Sequence, residues 1–297
     1  MSPRYESPGA FKHALEHRLR AASPNGDVFA RRRQLLVFDR FLARVVHLLG
    51  NSVLLKGGLV LELRLERART TKDVDLRMAG PSDRVLEDLQ LAARLDLGDF
   101  LSYEIAPDPT YPDIDNDGMR YDGMRFRAEC LLAGRPFGDP FGVDVAFGDP
   151  ILGEPDLVVG EDVLAFAEIA PPRLRLYPIE THIAEKLHAY TMPRDRENSR
   201  VKDLPDLALL ARVRPIEAVR LRRALEQTFE FRGTHPLPAA VPAPPASWEA
   251  RYARIAEQDG LPWATVAVLL EAVRAFLDPV LGAEPAGTWS PETGSWG

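Results

Sequence analysis

The spacing of hydrophobic residues changes along the chain, and this change predicts where helices give way to strands. Apolar residues recur at helical spacing over 11–22 and 28–49, which predicts two N-terminal helices. Helical patterns also cover 59–65 and 84–95. Shorter apolar or alternating runs predict strands, and these runs span 52–55, 71–78, 100–105, 124–132 and 141–147. We therefore expect a mixed α/β unit at the N-terminal end.

The remainder of the chain is dominated by helical spacing. Such patterns predict helices over 179–192, 204–212, 215–229 and 263–277. A Pro/Ala-rich stretch over 236–245 reads as a linker between helical pieces, because proline interrupts a helix and stiffens an extended chain.

Together these patterns predict an α/β (α+β) fold with three parts. The mixed α/β core, with its N-terminal helices, is expected over 1–170 and a helical C-terminal domain over 171–282. The final segment, 283–297, is polar and rich in glycine, so we expect a disordered tail.

Composition narrows the class of protein. The chain has 297 residues, of which 45% are hydrophobic and 27% charged, as in ordinary globular proteins. A single cysteine excludes an intrachain disulfide, and no apolar run is long enough to span a membrane, so we expect a cytoplasmic protein. The net charge of −7 argues against indiscriminate binding of nucleic acid but allows a local basic patch.

The first candidate site is an acidic pair that follows a glycine turn. Asp73 and Asp75 are spaced i, i+2 on a predicted strand, so their side chains project from one face. Two carboxylates bind Mg²⁺ and leave positions for water and phosphate oxygens. The Gly57-Gly58 turn upstream lets the backbone approach a phosphate closely. This combination indicates a metal-dependent phosphoryl-transfer site, with a solvated surface pair as the alternative.

A second acidic position lies in a later strand. Asp144 interrupts the apolar run Val143-Asp144-Val145-Ala146-Phe147, where a charge is costly unless it is paired or bound to metal. It is therefore a candidate third carboxylate for the Asp73/Asp75 site. The alternative is an aspartate at a strand edge that points into solvent.

The lysines also mark candidate positions, because only five of the 37 basic residues are lysines. On the helix predicted over 179–192, Lys186 shares a face with His182 and Tyr190, and it could reach a triphosphate. Asp203 and Asp206 follow on the next helix, where they could pair with Lys186 or Arg200 and hold the lysine in place. The alternative is a solvated helix face.

Several short motifs in one order resemble the AbiEii/AbiGii nucleotidyltransferase toxins, within the DNA-polymerase-β-like nucleotidyltransferase superfamily. These motifs are Leu55-Lys56-Gly57-Gly58, Arg69-Thr70-Thr71-Lys72-Asp73-Val74-Asp75-Leu76, Val143-Asp144-Val145-Ala146-Phe147-Gly148, Ala184-Glu185-Lys186-Leu187-His188-Ala189 and Val201-Lys202-Asp203-Leu204-Pro205-Asp206-Leu207. Gly58 departs from the serine that many members of the superfamily carry there. The resemblance implies a nucleotidyltransferase core, a mixed sheet flanked by helices, with a helical C-terminal region.

The resemblance also implies roles for individual residues. Asp73 and Asp75 would bind Mg²⁺ or Mn²⁺, with Asp144 as a third metal ligand. Lys186 would match the essential lysine of the family, and Asp203 or Asp206 the carboxylate of its last motif. Nucleotide binding would involve a set of residues around the glycine turn and the lysine helix, namely Lys56, Gly57, Gly58, Thr71, Lys72 and Lys186. Thr71 would match a position that some antitoxins phosphorylate.

The activity implied is transfer of NMP from an NTP, CTP or another pyrimidine NTP, to the 3′ end of tRNA. This would block translation, and the protein would be the toxin of a bacterial toxin–antitoxin pair with a cognate antitoxin. Two alternatives stay open at this point. The acceptor could be a protein or a small molecule such as an aminoglycoside, or the chain could be a degenerate, non-catalytic nucleotide-binding module.

Arginines near the N-terminal half could seat an RNA end despite the acidic total. The candidates are Arg31, Arg32, Arg33, Arg40, Arg44, Arg64, Arg67 and Arg69. The alternative is that these side chains belong to solvated helix faces.

Overall fold

A computed structural model describes residues 5–65, 71–114, 123–148, 150–194, 198, 200–282 and 284–297. Arg67, Arg69 and Thr70 from the sequence interpretation lie outside the described residues. Among the described helices, none combines the length and the apolar character needed to cross a bilayer.

The structure confirms most of the predicted elements and shifts their ends by a few residues. The helices are α1 Pro8–Ala21, α2 Gly26–Leu49, α3 Gly57–Leu65, α4 Val85–Ala93, α5 Ile179–Thr191, α6 Asp203–Leu210, α7 Ala218–Arg232, α8 Trp248–Gln258 and α9 Val266–Leu281. The strands are β1 Val53–Lys56, β2 Asp73–Met78, β3 Leu101–Pro107, β4 Gly123–Leu132, β5 Arg135–Pro136, β6 Phe141–Phe147, β7 Asp156–Val159, β8 Arg173–Leu176, β9 Ile216–Glu217, β10 Thr288–Ser290 and β11 Ser295–Trp296.

Within the described residues, eight strands form one mixed sheet. Its order is β3-β4-β6-β2-β1-β8-β7, and β5 pairs with β4. Strand β2 is parallel to β6, β1 is parallel to β8, and the other neighbours run antiparallel. Helices pack against this sheet, so the predicted α/β class with a mixed sheet flanked by helices is confirmed.

Buried apolar side chains form two clusters that succeed one another along the chain. One runs from Phe11 to Leu176 and packs the sheet against the N-terminal helices. The other runs from Ile179 to Trp289 and joins the C-terminal helices. Helix α3 contributes to both, because Leu59 enters the first cluster and Leu61 the second. The domain boundary at residue 170 stays a prediction.

The structure differs from the expected disordered tail. Strands β10 and β11 pair antiparallel, and β10 also pairs with β9. Trp289 is buried, its ring lies 5.0 Å from that of Phe276, and its indole N–H donates to the carbonyl of Ala211 at 2.7 Å. Burial of two large aromatic surfaces outweighs the polar, glycine-rich composition that suggested disorder.

The sequence patterns also missed β7, β8 and α8. Strand β7 lies at the edge of the sheet with Leu157 and Val159 exposed, so its residues do not alternate between a buried apolar face and a polar one. Strand β8 alternates, but it is only four residues long. Helix α8 is strongly amphipathic, with Trp248, Tyr252 and Ala256 buried, so helical spacing of its buried residues is present in the sequence.

Two of the arginines expected near RNA are in the protein interior instead. Arg44 donates to both oxygens of Asp99 at 2.5 and 2.9 Å, and Arg40 Nε donates to Asp99 at 2.8 Å. All three side chains are buried. For Arg40 and Arg44, both the RNA-binding interpretation and the solvated-face alternative are therefore wrong. Their helix, α2, is covered by α4, and helical spacing alone does not reveal a second buried face.

Candidate active site

Strand alternation places carboxylates on one face of the sheet. In β2, Val74, Leu76 and Met78 are buried in the apolar core, so Asp73 and Asp75 project from the opposite face. Strand β6 is parallel to β2 and aligns Asp144 with Asp75. Because β6 lies between β4 and β2, Asp144 is not at a strand edge, and the solvent-facing alternative is wrong.

Two glycines provide the space that these carboxylates occupy. Gly57 has φ +72°, and a Cβ at this position would meet Asp75 Oδ2 at 2.0 Å. A Cβ at Gly142 would meet Asp73 Oδ1 at 2.6 Å, and the Gly142 N–H donates to that oxygen at 3.2 Å. Any larger residue at either position would displace the aspartate, so both glycines are needed where they stand.

Asp75 and Asp144 open into a cavity of about 230 Å³ between the sheet and the C-terminal helices. Its wall carries side chains from β1, β2, β4, β6, α5, α6 and α7. The lining residues are Lys56, Gly57, Asp75, Leu76, Ile114, Arg125, Asp144, His182, Glu185, Lys186, Ala189, Arg200, Asp203 and Arg232. Six of the residues predicted for the site, Lys56, Gly57, Asp75, Asp144, Lys186 and Asp203, therefore share one cavity.

Two adjacent carboxylates, flanked by a cation on each side, lie across four neighbouring strands at the cavity floor. Lys56 pairs with Asp75 in register, Asp75 with Asp144, and Asp144 with Arg125. Burial and the neighbouring Asp144 raise the pKa of Asp75 to about 6, although Lys56 and Lys186 oppose the rise. Asp75 is thus a carboxylate crowded by like charge, and a cation beside it would relieve the repulsion.

This crowding is the observation that fits a divalent cation at Asp73 and Asp75. Both offer carboxylate oxygens, the ligands that Mg²⁺ prefers. Asp144 is engaged elsewhere, because Arg125 Nε and Nη2 donate to its two oxygens at 2.7 Å each. Among the described residues, no group of three or more His, Cys, Asp or Glu side chains is arranged around a common metal position. The structure therefore offers a pair of ligands, with the third held by an arginine.

Lys186 is held on the opposite wall by two aspartates of α6. Its Nζ lies 2.9 Å from Asp203 Oδ1 and 2.8 Å from Asp206 Oδ2, which confirms the expected pairing. Asp206 is completely buried and is absent from the cavity lining, whereas Asp203 reaches the cavity. Asp203 Oδ2 is buried without a hydrogen-bond donor among the described residues. Helix α5 is largely buried, so the solvated-face alternative for Lys186 is wrong.

His182 lies one turn before Lys186 and is also buried in the cavity wall. Burial and the positive charges of Lys186 and Arg64 lower its pKa to about 3, so the imidazole is neutral. Neither ring nitrogen has a hydrogen-bond partner within the described part of the chain. Tyr190, expected on the same face, donates instead to the carbonyl of Pro242 at 2.7 Å.

Asp73, Thr71 and Lys72 line a separate cavity of about 550 Å³ on the side of α2. Thr71 is buried, and its Oγ1 donates to the carbonyl of Asp73 at 3.2 Å. Arg31 also lines this cavity and donates to the Thr71 carbonyl at 3.0 Å. The structure therefore divides the predicted site: Asp75 faces the first cavity and Asp73 the second. Gly58 is buried in the first turn of α3.

Three arginines of the cavity lie outside the predicted site residues, although Arg200 was expected as a possible partner of Asp203 and Asp206. Arg125, Arg200 and Arg232 line the first cavity beside the predicted lysines. Arg232 is the last residue of α7 and lies 3.2 Å from Glu185 Oε1 through Nη2. In a chain this rich in arginine, one arginine at a helix end has no distinguishing signal. Arg125 sits opposite Asp144 in the ladder, which requires knowledge of the strand order.

Comparison with known proteins places the chain in a family. A model of the family described as "Nucleotidyl transferase AbiEii toxin, Type IV TA system" matches residues 40–289. No curated protein is similar enough in sequence to match.

Solved structures are similar to this chain at low sequence identity. MenT4, a nucleotidyltransferase toxin from Mycobacterium tuberculosis H37Rv, is similar with a TM-score of 0.50 and 16% identity, over 72% of this chain and 68% of that chain. A Helicobacter pylori protein described as a nucleotidyltransferase has a TM-score of 0.43 and 15% identity, over 84% of this chain and 93% of that chain. The likeness to MenT4 supports the predicted core fold and carries no statement about the substrate.

Proposed function

The chain belongs to the AbiEii nucleotidyltransferase toxin family, and from this premise we propose that it transfers NMP from an NTP to the 3′ end of tRNA in a metal-dependent reaction. A pyrimidine nucleotide, CTP first, is the donor proposed. The product tRNA could not be aminoacylated, so translation would stop. The family is one of type IV toxin–antitoxin systems, which implies an antitoxin partner.

The observation that carries this proposal is the charge distribution of the first cavity. Its lining combines five cationic side chains with four carboxylates, those of Asp75, Asp144, Glu185 and Asp203. The cations are Lys56, Arg125, Lys186, Arg200 and Arg232. A triphosphate is the ligand whose charge matches such a wall, because it presents several phosphate oxygens along one chain. The N-terminus of α3, at Gly57, adds backbone N–H groups at the same wall.

The residues of α5 and α6 support binding of the leaving pyrophosphate. Lys186 presents its ammonium group to the cavity while Asp203 and Asp206 fix its direction. A charge held in place before the reaction stabilises the developing negative charge without reorganisation. We assign contact with substrate to Asp203, which reaches the cavity and has one oxygen without a donor. Asp206 acts through Lys186, because it is completely buried.

Asp73 and Asp75 would hold Mg²⁺ or Mn²⁺. When bound, such ions lower the pKa of an attacking hydroxyl and neutralise charge on the transferred phosphoryl group. Asp144 joins as a third ligand only if Arg125 releases it. Asp73 borders the second cavity, so we place the incoming acceptor hydroxyl on that side of β2.

Thr71 is proposed as the position where phosphorylation would silence the protein. A phosphate there would add negative charge two residues before Asp73 and compete for the same cation. Because the Thr71 hydroxyl is buried and donates to the Asp73 carbonyl, a kinase would need local opening of this segment.

Labelling of tRNA tests the proposed reaction directly. The purified protein is incubated with Mg²⁺, each α-³²P-labelled NTP in turn and total bacterial tRNA. We expect label at the tRNA 3′ end with the wild type and none with Asp73→Ala, which removes one metal ligand and one repelling charge but no buried apolar contact. Asp83→Ala, an exposed aspartate before α4, serves as the matched control and should label like the wild type.

Separation of the labelled products on a gel also identifies the acceptor. Label on a protein or on an added aminoglycoside, with none on tRNA, would keep nucleotidyl transfer and overturn tRNA as the acceptor. Unchanged labelling by Asp73→Ala would overturn the metal-site assignment.

A further inference from the structure

Glu185 is a partly buried carboxylate, with 14% of its side chain exposed, that contacts two cavity cations at once. Lys56 Nζ lies 3.3 Å from Oε1 and 3.2 Å from Oε2. Arg232 Nη2 lies 3.2 Å from Oε1, and the hydroxyl of Tyr177 donates to the same oxygen at 3.1 Å. One carboxylate therefore holds two cations. The three side chains together carry a net positive charge at the cavity wall.

The two cations come from different parts of the fold. Lys56 ends β1 in the sheet, and Arg232 ends α7 among the C-terminal helices. Glu185 lies on α5, whose Ile183 and Leu187 pack in the second apolar cluster. Glu185 contacts the terminal cation of β1 and that of α7, and Arg232 Nη1 also lies 3.3 Å from His188 Nδ1.

Tyr177 makes this arrangement rigid. Its side chain is completely buried, and its backbone N–H donates to the carbonyl of Leu55 at 2.8 Å. Lys56 Nζ lies 5.3 Å from the centre of its ring. The ring and the hydroxyl thus contact both Lys56 and Glu185, and both partners lose freedom of movement.

Lys56 could pair with Asp75 instead of Glu185, so the position of its ammonium group matters. Lys56 stands opposite Asp75 in the strand ladder, and its charge already lowers the pKa of Asp75. A lysine without Glu185 could fold its flexible stem onto Asp75 and take the place of a metal ion or a phosphate. Glu185 itself is ionised, because Lys56 and Arg232 outweigh its burial and lower its pKa to about 2.

We propose that Glu185 is a positioning residue that sets Lys56 and Arg232 at the spacing of a nucleotide triphosphate and keeps Lys56 away from Asp75. The inference rests on the proposed function, because it assigns the phosphate-binding half of the same cavity. It assigns the β- and γ-phosphates to this pair of cations. A monophosphate lacks the two phosphates assigned to this pair, so it should gain little from Glu185.

Selective loss of triphosphate binding tests the proposal. Affinities for CTP and CMP, with ATP and AMP in parallel, are measured by isothermal titration calorimetry. Glu185→Gln keeps the shape of the side chain and removes its charge. We expect it to weaken CTP binding about tenfold and to change CMP binding by less than about twofold.

Glu180→Gln is the matched control on the same helix. Glu180 is buried and paired with an arginine, Arg214, at 3.3 Å, but it is absent from the cavity lining. A general cost of neutralising a paired glutamate on α5 would affect both variants equally. A positioning role affects only Glu185, so Glu180→Gln should leave the ratio of CTP to CMP affinity unchanged.

A second pair of variants keeps the test decisive if Glu185→Gln does not fold. Tyr177→Phe removes only the hydroxyl, and Arg232→Gln removes one of the two cations. Both should weaken CTP more than CMP, Tyr177→Phe by about twofold to threefold because a neutral donor is lost. An unchanged ratio in Glu185→Gln, or in both of these variants, would overturn the proposal.

The labelling and binding measurements together distinguish failure of this inference from failure of the proposed function. A wild-type protein that labels tRNA, together with an unchanged ratio in Glu185→Gln, would overturn this inference alone. A wild-type protein that binds neither CTP nor ATP would overturn both.

Discussion

Two aspartates, the buried Asp99 and the partly buried Asp75, are held in opposite ways. Each Asp99 oxygen is within 2.9 Å of an arginine donor, and Oδ1 also accepts the N–H of Leu101. Burial raises its pKa, but the bonds from Arg44 and Arg40 outweigh that effect and bring the pKa below its usual value. For Asp75, burial and Asp144 raise the pKa to about 6.

The difference separates a structural charge from one that we propose to be functional. Asp99 joins α2 to the loop before β3 and has its hydrogen-bonding capacity filled by the protein itself. Asp75 lies at a cavity beside another carboxylate, so the protein leaves its charge to be compensated by something that binds. Residues with unfavourable electrostatics in a cleft are typical of functional sites.

The largest expected effect comes from removing the charge of Asp99 from its cluster with Arg40 and Arg44. Asp99→Asn removes the counter-charge that the buried Arg40 and Arg44 share and leaves Arg40 with Asp39 at 4.0 Å, so the free energy of unfolding should fall by about 3–5 kcal/mol. Urea denaturation followed by circular dichroism measures this loss. Glu87→Ala, which removes an exposed partner of Arg84 on α4, should cost less than about 1 kcal/mol. Equal losses in the two variants would contradict the comparison.

At Asp75 we expect the opposite effect, because neutralising this aspartate should increase the free energy of unfolding. A folded-state pKa above the unfolded value means that the folded state holds its proton to higher pH, so the Asp75 contribution to stability falls as pH rises from about 4 to about 6. Asp75→Asn removes this penalty and should raise the free energy of unfolding by about 1–3 kcal/mol above pH 6. The measurement is urea denaturation of both proteins from pH 4 to pH 8, without metal ions.

At pH 4 the two proteins should differ little, because Asp75 is then protonated in the folded state. The same variant should lose nucleotidyl transfer, so stability and activity change in opposite directions. A variant that is less stable than the wild type at pH 8 would show that Asp75 is a satisfied structural charge like Asp99.

The smallest effect is expected at Arg125, which donates to both oxygens of Asp144 and so competes with a metal ion for them. Arg125→Gln should release Asp144 and increase affinity for Mn²⁺ by about fivefold, since a half-exposed ion pair contributes about 1 kcal/mol. Calorimetric titration with MnCl₂ in the absence of nucleotide provides the readout. Arg135→Gln on β5, an exposed arginine outside the cavity lining, is the control and should bind Mn²⁺ like the wild type. Unchanged or weaker binding by Arg125→Gln would remove Asp144 from the metal ligands.

Sequence patterns predicted best where the physics is local. The alternation in β2 placed Asp73 and Asp75 on the polar face, and the structure agrees because strand side chains point to alternate faces whatever surrounds them. The pairing of Lys186 with Asp203 and Asp206 also followed from two neighbouring helices. The hairpin around Trp289 was missed, because its stability comes from contact with Phe276 on another helix.

The sequence by itself thus determined the α/β class, the glycine turn, the acidic pair and the lysine helix. Only the tertiary structure decided which charges meet: Asp144 with Arg125 rather than with a shared metal position, and Glu185 with Lys56, 129 residues away along the chain. The direction in which successive side chains point is a property of a single strand or helix. The register between strands and the packing of helices, in contrast, depend on how the whole core is buried. Residues that act through such long-range contacts, Glu185 and Arg232 among them, therefore became visible only in the folded chain.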